Sequence, residues 1–429
     1  MINPPKAIKN RFPVTTNLNI PFSNVNPFTL QSCFTMKHTY YFCAIIAFAA
    51  IMTNLSAVNA DQRVFYIGTQ ASPTTSPDIE VSRGIYRGVF NDQTGEIKIL
   101  GLAAEARNPS FVVKHPTLNC YYSVSGHGID DQGSVDAWEK QDDGSLKKLN
   151  SQRSGGQGPC HLSVHPNGKA LFVANYSGGQ AAMIQILSDG SLGEVLSDQH
   201  VGYGPNTVRQ ERAHAHWMNV DPTGKRVLCC DLGCDKVYSM LLDDNDFGWI
   251  PNPKFPFAQV SSGAGCRHAI FSSDGTYLFV LNELSSTIDV FLYDSQSGSM
   301  TVVQSDTTLP KEFRGTNKAA AICCLKTEYG EFVYCSNRGA NLLTVFKVNP
   351  GEIRGDREQC GTVLETVQYI TSGGNAPRFV GIDPTGKFLL SCNKKTCNIV
   401  VYAIDQKTGK LTTTGFEANV GWPLSIAWE

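Results

Sequence analysis

Charge is scarce in this sequence. Asp, Glu, Lys and Arg make up 17% of its 429 residues, and 36 basic against 38 acidic side chains leave a formal net charge of −2. Globular chains carry roughly a quarter charged residues. So low a share, together with 39 Gly and 10% aromatics, favours sheet and turn over charge-studded helices. The near balance speaks against a nucleic-acid partner, because phosphate contacts need a clustered excess of Lys and Arg. Apolar runs with a 3.6-residue period are missing at any useful length, which excludes a helical solenoid. Several chemical signatures are missing too. The chain has no paired CxxC spacing for zinc, no GxSxG nucleophile elbow and no glycine-rich phosphate loop opening a helix. What remains, at 41% hydrophobic residues, is too apolar for a disordered polymer.

Long apolar runs are also lacking, with one exception near the N-terminus, Tyr40 to Met52, preceded by Lys37 and His38. A bilayer needs roughly 20 such residues, so this shorter stretch reads as the core of a signal peptide. Val58-Asn59-Ala60 supplies small residues at the spacing of a cleavage site, which places the cut before Asp61. A signal peptide begins close to its start codon, so Met36 reads as the true start and residues 1–35 as an upstream extension. The expectation is an exported protein, periplasmic or extracellular, with no stable membrane span after cleavage. A retained anchor or a cytoplasmic protein is the alternative. Of 14 cysteines, those beyond the signal region include Cys229-Cys230 and Cys323-Cys324 in strand-like runs. Neighbouring side chains there point to opposite faces, so these read as small core residues.

The strongest signal is internal repetition. His161-Leu-Ser-Val-His-Pro-Asn-Gly168 with Ala170-Leu-Phe-Val-Ala-Asn-Tyr176 is matched by His216 to Gly224 with Val227 to Asp231. Further copies run from His268 to Gly275 with Tyr277 to Glu283, and from Phe379 to Gly386 with Phe388 to Asn393. Looser copies surround residues 111–124 and 320–338. The turn glycines 168, 224, 275, 330 and 386 lie 56, 51, 55 and 56 residues apart, a period of propellers and solenoids. Each unit continues into a third strand such as Thr287 to Tyr293, a turn such as Asp294 to Gly298, and a fourth strand near Met300. Asn, Asp and Gly in those turns supply the positive φ of tight hairpins. Six complete units start near 111, 161, 216, 268, 320 and 379. A seventh forms if Leu424 to Glu429 joins Arg63 to Gly68 and Gly84 to Phe90, which closes the ring and removes free sheet edges. The fold expected for 61–429 is all-β, a seven-bladed β-propeller of four-stranded antiparallel sheets.

Repeat phase also gathers polar residues. The start of a blade's first strand and the end of its second lie at one end of the hairpin. The starts carry Cys160-His161, His214 and His216, Arg267-His268 and Arg378; the ends carry Asn175-Tyr176, Asp231, Asn282-Glu283, Asn337-Arg338 and Asn393. All belong to one rim of the central channel, and a concave mouth with convergent polar groups is a candidate site. Guanidinium groups suit carboxylate or phosphate, and His titrates near neutrality. The His214/His216 spacing also admits a metal reading, with Asp231 as a third ligand.

The runs SGGQGPCHLSVHPNGKALFVANYSGG (154–179), AHAHWMNVDPTGKRVLCCDLGCDKV (213–237), GAGCRHAIFSSDGTYLFVLNELSST (263–287) and SNRGANLLTVF (336–346) closely resemble the lactonase family of seven-bladed propellers. That family includes propeller-type 6-phosphogluconolactonases and carboxymuconate lactonising enzymes, and the resemblance covers essentially 63–429. It implies an enzyme without cofactor or bound metal that acts on a small lactone bearing an anionic group. It carries over His216, Arg267, Glu283 and Arg338 as the catalytic set. His161, His214, His268, Asn175, Asn337 and Arg378 are the expected substrate contacts. Arg267 and Arg338 would hold the anionic group and the developing oxyanion, with Glu283 or His216 as the base. Where the family has Gly-Pro before its HxH motif and Pro before the Arg of the fourth unit, this chain has Glu211-Arg212-Ala213 and Cys266. Lactone hydrolysis of the 6-phosphogluconolactonase kind is the expected activity. A muconate-type cycloisomerase and a non-catalytic extracytoplasmic binding scaffold are the alternatives, and the oligomeric state is left open.

Overall fold

A computed structural model describes residues 61–71, 78–126, 132–243, 247–349, 351–354 and 358–429. The expected upstream extension, the start at Met36 and the signal peptide over 1–60 lie outside these residues. Among the described residues every regular element is a strand, and the strands form seven blades, each an antiparallel sheet, with one further hairpin, Glu352–Arg354 and Glu358–Cys360, between the third and fourth strands of the fifth blade. The first six blades open with Val112–Lys114, Pro159–Val164, Ala215–Val220, Cys266–Phe271, Ala319–Thr327 and Pro377–Ile382, within two residues of the starts read from the repeats. Thr287–Tyr293 and Met300–Thr307 are the third and fourth strands of the fourth blade.

Each blade buries both faces against its neighbours, so its inner strands are apolar throughout rather than alternating. Phe279, Leu281 and Val290 of the fourth blade pack on Val333, Cys335 and Phe346 of the fifth. Cys229 faces the second blade beside Phe172 and Met183, while Cys230 faces the fourth beside Val280 and Phe291. The pair thus separates to opposite faces, and the eleven cysteines with described side chains are free thiols. Polar latches join blades at the turn end. The imidazole of His115 accepts from the backbone N–H of Leu118 at 2.8 Å through Nδ1, which leaves Nε2–H to donate to the Gly168 carbonyl at 2.9 Å. His165 reaches the Gly224 carbonyl at the same distance, 2.9 Å. Those turn glycines have φ of 74° and 71°, where an L side chain would be strained.

The third blade departs from the pattern. Its outer edge is two short pieces, Trp249–Pro251 and Phe257–Gln259, both paired with Lys236–Leu242. Pro251, Pro253 and Pro256 interrupt the run, and proline cannot donate to a ladder.

The ring closes as the sequence indicates. Pro423–Trp428 is the innermost strand of the last blade and pairs with Gln62–Thr69, followed outward by Gly84–Asn91 and Ile97–Glu105. Trp428 packs edge-on against Phe65 and Phe90 with ring centroids 5.4 Å away in both cases. Its indole N–H donates to the Ile382 carbonyl of the sixth blade at 3.1 Å. On the other side the Ser425 hydroxyl accepts from the Val112 N–H of the first blade at 3.1 Å. Deleting Leu424 to Glu429 should therefore expose an edge and two blade interfaces. The expected result is a fall of at least about 10 °C in the melting midpoint followed by circular dichroism; a truncated chain that melts with the full one would refute the closure.

Candidate active site

One local irregularity sets the geometry of the channel mouth. At the start of the first strand, the register between strands one and two slips by one residue in the second, third, fourth and sixth blades, and in the closing blade. The residues left out of the ladder are Cys160, His216, Arg267, Arg378 and Leu424. The fifth blade slips at Ala320-Ala321. A β-bulge re-aims the side chain it carries, and successive blades thereby present their bulged residues at one end of the channel.

The residue just past the second strand forms the companion ring. Its backbone N–H donates to the carbonyl just before strand one: Gln70 to Trp422, Tyr176 to Gly158, Leu232 to His214, Glu283 to Gly265, Arg338 to Lys318 and Lys394 to Ala376. In the fourth blade this juxtaposes Arg267 and Glu283, with Nε donating to Oε2 at 3.0 Å. Arg338 of the fifth blade donates to the same oxygen at 2.6 Å. A third guanidinium, Arg209, donates to Oε1 at 2.7 Å and to the Tyr176 hydroxyl at 3.1 Å. Burial alone would raise the Glu283 carboxyl, but Arg338, Arg267 and Arg209 outweigh it and hold the group well below the usual carboxylate range. Burial, then the Arg338 and Arg378 charges, pulls Arg267 well below the ordinary guanidinium value.

Beneath this cluster three buried imidazoles meet. His268 lies 5.3 Å from both His161 and His216 between ring centroids, and His161 packs on Phe111 at 4.4 Å. Burial and the nearby Arg267 charge push His161 down to about 3 and His216 and His268 well below the ordinary value, so all three are neutral at pH 7. The Cys160 thiol, which burial raises to about 12, lies 3.7 Å from His216 Nδ1 and 3.6 Å from the His216 carbonyl. A thiol that donates to the carbonyl can accept from Nδ1–H. The His216 Nε2 has no hydrogen-bond partner among the described residues.

The expected catalytic residues His216, Arg267, Glu283 and Arg338 thus come together, joined by His161, His268 and Arg378. Asn175 and Asn337 do not: both are fully buried and serve the blades. Asn175 donates to the Ser154 carbonyl at 2.9 Å. Asn337 donates to Thr308 and Thr344 and accepts from Thr308 and Asn317. The last ladder residue of strand two points into its own blade, and the next one faces the mouth. His214 is held by protein partners. Its ring stacks on Tyr176 at 4.5 Å, and its nitrogens pair with the Tyr176 carbonyl and the Glu211 carboxylate at 2.8 and 3.2 Å. The bulge at His216 breaks the same-face relation that a regular strand would give the two histidines. Asp231, fully buried, is occupied by His200 at 2.8 Å and by the backbone N–H groups of His214, Gly233 and Cys234, so the metal reading loses two of its three ligands. Arg209, Lys318 and Lys394 were not singled out by repeat phase. Arg209 sits on an irregular loop held down by buried Gln210, which donates to Asp235 at 2.7 Å.

A propeller whose channel mouth combines four arginines, the carboxylate that three of them share and buried neutral imidazoles has the make-up of a small-molecule site. The family profile described as "Lactonase, 7-bladed beta-propeller" matches residues 64–428, and the chain belongs to that family of lactone hydrolases. A 6-phosphogluconolactonase of Bacillus subtilis (strain 168) is 32% identical over 347 residues, 80% of this chain and 94% of that one. A solved structure from Lactobacillus plantarum has 31% identity and a TM-score of 0.74, covering 86% of this chain and 99% of its own. The structure of the Pseudomonas aeruginosa periplasmic gluconolactonase, PpgL, has 25% identity and a TM-score of 0.73, covering 86% and 99%. No helix among the described residues is long and apolar enough to cross a membrane.

The asparagine assignment is testable. Replacing Asn337 by Ala leaves buried partners unpaired and should lower stability by about 1–3 kcal/mol in urea unfolding, with KM unchanged. A rise in KM without a loss of stability would return Asn337 to the ligand.

Proposed function

We propose that the protein hydrolyses a sugar-derived lactone bearing an anionic group, of the 6-phosphogluconolactone kind. The observation that carries this reading is a buried, neutral His216 imidazole beside guanidinium groups fixed by Glu283. His216 is the general base: its neutral imidazole takes a proton from water as the oxygen attacks the lactone carbonyl. Arg267 and Arg338 each keep a terminal nitrogen that bonds nothing in the protein among the described residues, and these donate to the oxyanion. As the tetrahedral intermediate collapses, the ring C–O bond breaks and the imidazolium returns its proton to the leaving alkoxide, giving the hydroxy acid. Both oxygens of Glu283 are occupied by arginine donors, so it acts by holding its partners rather than as the base. The names of the B. subtilis and P. aeruginosa relatives support hydrolysis; the cycloisomerase alternative has no such support. The apolar segment at 40–52 and the periplasmic character of the P. aeruginosa relative support export, so the lactone is met outside the cytoplasm. N-terminal sequencing of the protein from its own host should begin at Asp61.

The purified protein should hydrolyse 6-phosphogluconolactone above the spontaneous rate, and His216→Asn should lower kcat by about 10²–10⁴. Glu283→Gln should cost about 100-fold while leaving the arginines crowded. Wild-type kinetics in both variants would overturn the site. The base works unprotonated and its protonation is pushed well below 6.5, so kcat should hold as pH falls from 8 to 6. A decline with a midpoint near 6.5 would show that His216 titrates normally and is not the buried base.

A further inference from the structure

The sixth blade repeats the geometry of the fourth with different charges. Arg378 is its bulged residue, as Arg267 is in the fourth, and Lys394 follows its second strand, as Glu283 does. In the fourth blade that placement yields an ion pair of 3.0 Å. In the sixth it sets two cations at equivalent positions with no carboxylate between them. Glu283, the acid of the cluster, is already taken up by Arg209, Arg267 and Arg338. Arg378 makes no hydrogen bond within the protein among the described residues. Lys394 is tethered by neutral partners: Nζ donates to Gln70 Oε1 at 3.1 Å and lies 3.8 Å above the Trp422 ring. Trp422 itself is held at a φ of 39°, an uncommon conformation for a large side chain.

We infer that Arg378 and Lys394 form the subsite for the anionic substituent of the substrate, a phosphate or carboxylate remote from the reacting carbonyl. This rests on the lactonase reading and divides its labour: Arg267 and Arg338, committed to Glu283, serve the reacting carbonyl, and the sixth blade holds the charge. Burial and the charges of Arg378 and Arg338 push Lys394 down to about 8, and burial and Arg338 push Arg378 to about 10. A bound anion relieves that repulsion. Selectivity for a charged lactone over its neutral counterpart then resides in residues that do not touch the reacting bond.

The test compares 6-phosphogluconolactone with glucono-1,5-lactone on the full-length protein. For Lys394→Gln the ratio of kcat/KM, phosphorylated over neutral, should fall at least tenfold, mainly through KM for the phosphorylated lactone. Lys394→Arg should recover most of it. A ratio that stays at the wild-type value, or losses equal for both lactones, would overturn the subsite. Calorimetric binding of 6-phosphogluconate against gluconate separates this from failure of the lactonase reading. A wild type that hydrolyses neither lactone, yet prefers 6-phosphogluconate by a margin lost in Lys394→Gln, refutes the activity and upholds the subsite. Equal binding of both acids by the wild type refutes the subsite.

Discussion

A regular strand entering the channel mouth would send alternate side chains into the two neighbouring blades and offer the channel nothing but backbone. The extra residue at the start of the first strand changes that. Because the slip falls at the same point of blade after blade, it lifts Cys160, His216, Arg267 and Arg378 out of the ladder. The backbone bond from the residue after strand two then fixes Tyr176, Glu283, Arg338 and Lys394 beside them. The chemistry of the mouth depends on this constraint. Most blades contribute a bulged and a terminal side chain in this way, so the mouth can be rewritten blade by blade without disturbing the apolar faces between them.

Electrostatics at the mouth follow from how unevenly those places are filled. Glu283 gathers three guanidinium groups and fixes their directions, and in the proposed reaction these are preorganised donors for developing charge. Burial keeps the imidazoles below neutral, which suits a base and forbids an extra cation where repulsion among arginines is already felt. The surplus positive charge falls to the sixth blade.

Much of this was legible in the sequence because a propeller writes its geometry into a period. Blade number, ring closure, strand order and the convergence of His216, Arg267, Glu283 and Arg338 all follow from phase. The errors share one cause: phase read to the nearest strand end is one residue too coarse. Asn175 and Asn337 end the ladder and turn inward, and their successors face the channel. Lys394 follows Asn393 in that place and needed only one further step of reading. His214 and His216 were paired on one face because a bulge leaves no mark in a single sequence. Arg209 could not be found this way, since it lies on a loop that belongs to no repeat and its role is set by the reach to Glu283.

The position of the last six residues bears on how the molecule comes into being. Pairing Phe65 with Trp428 joins the two ends of the propeller chain, so contacts of very wide sequence separation seal the ring. Long-range pairings of this kind slow folding. The other blades can form from nearer segments, but the mouth stays unsealed beside Arg378 and Lys394 until Pro423–Trp428 has paired with Gln62–Thr69. The channel mouth is therefore complete only once this last inner strand has docked on the first strand of the propeller.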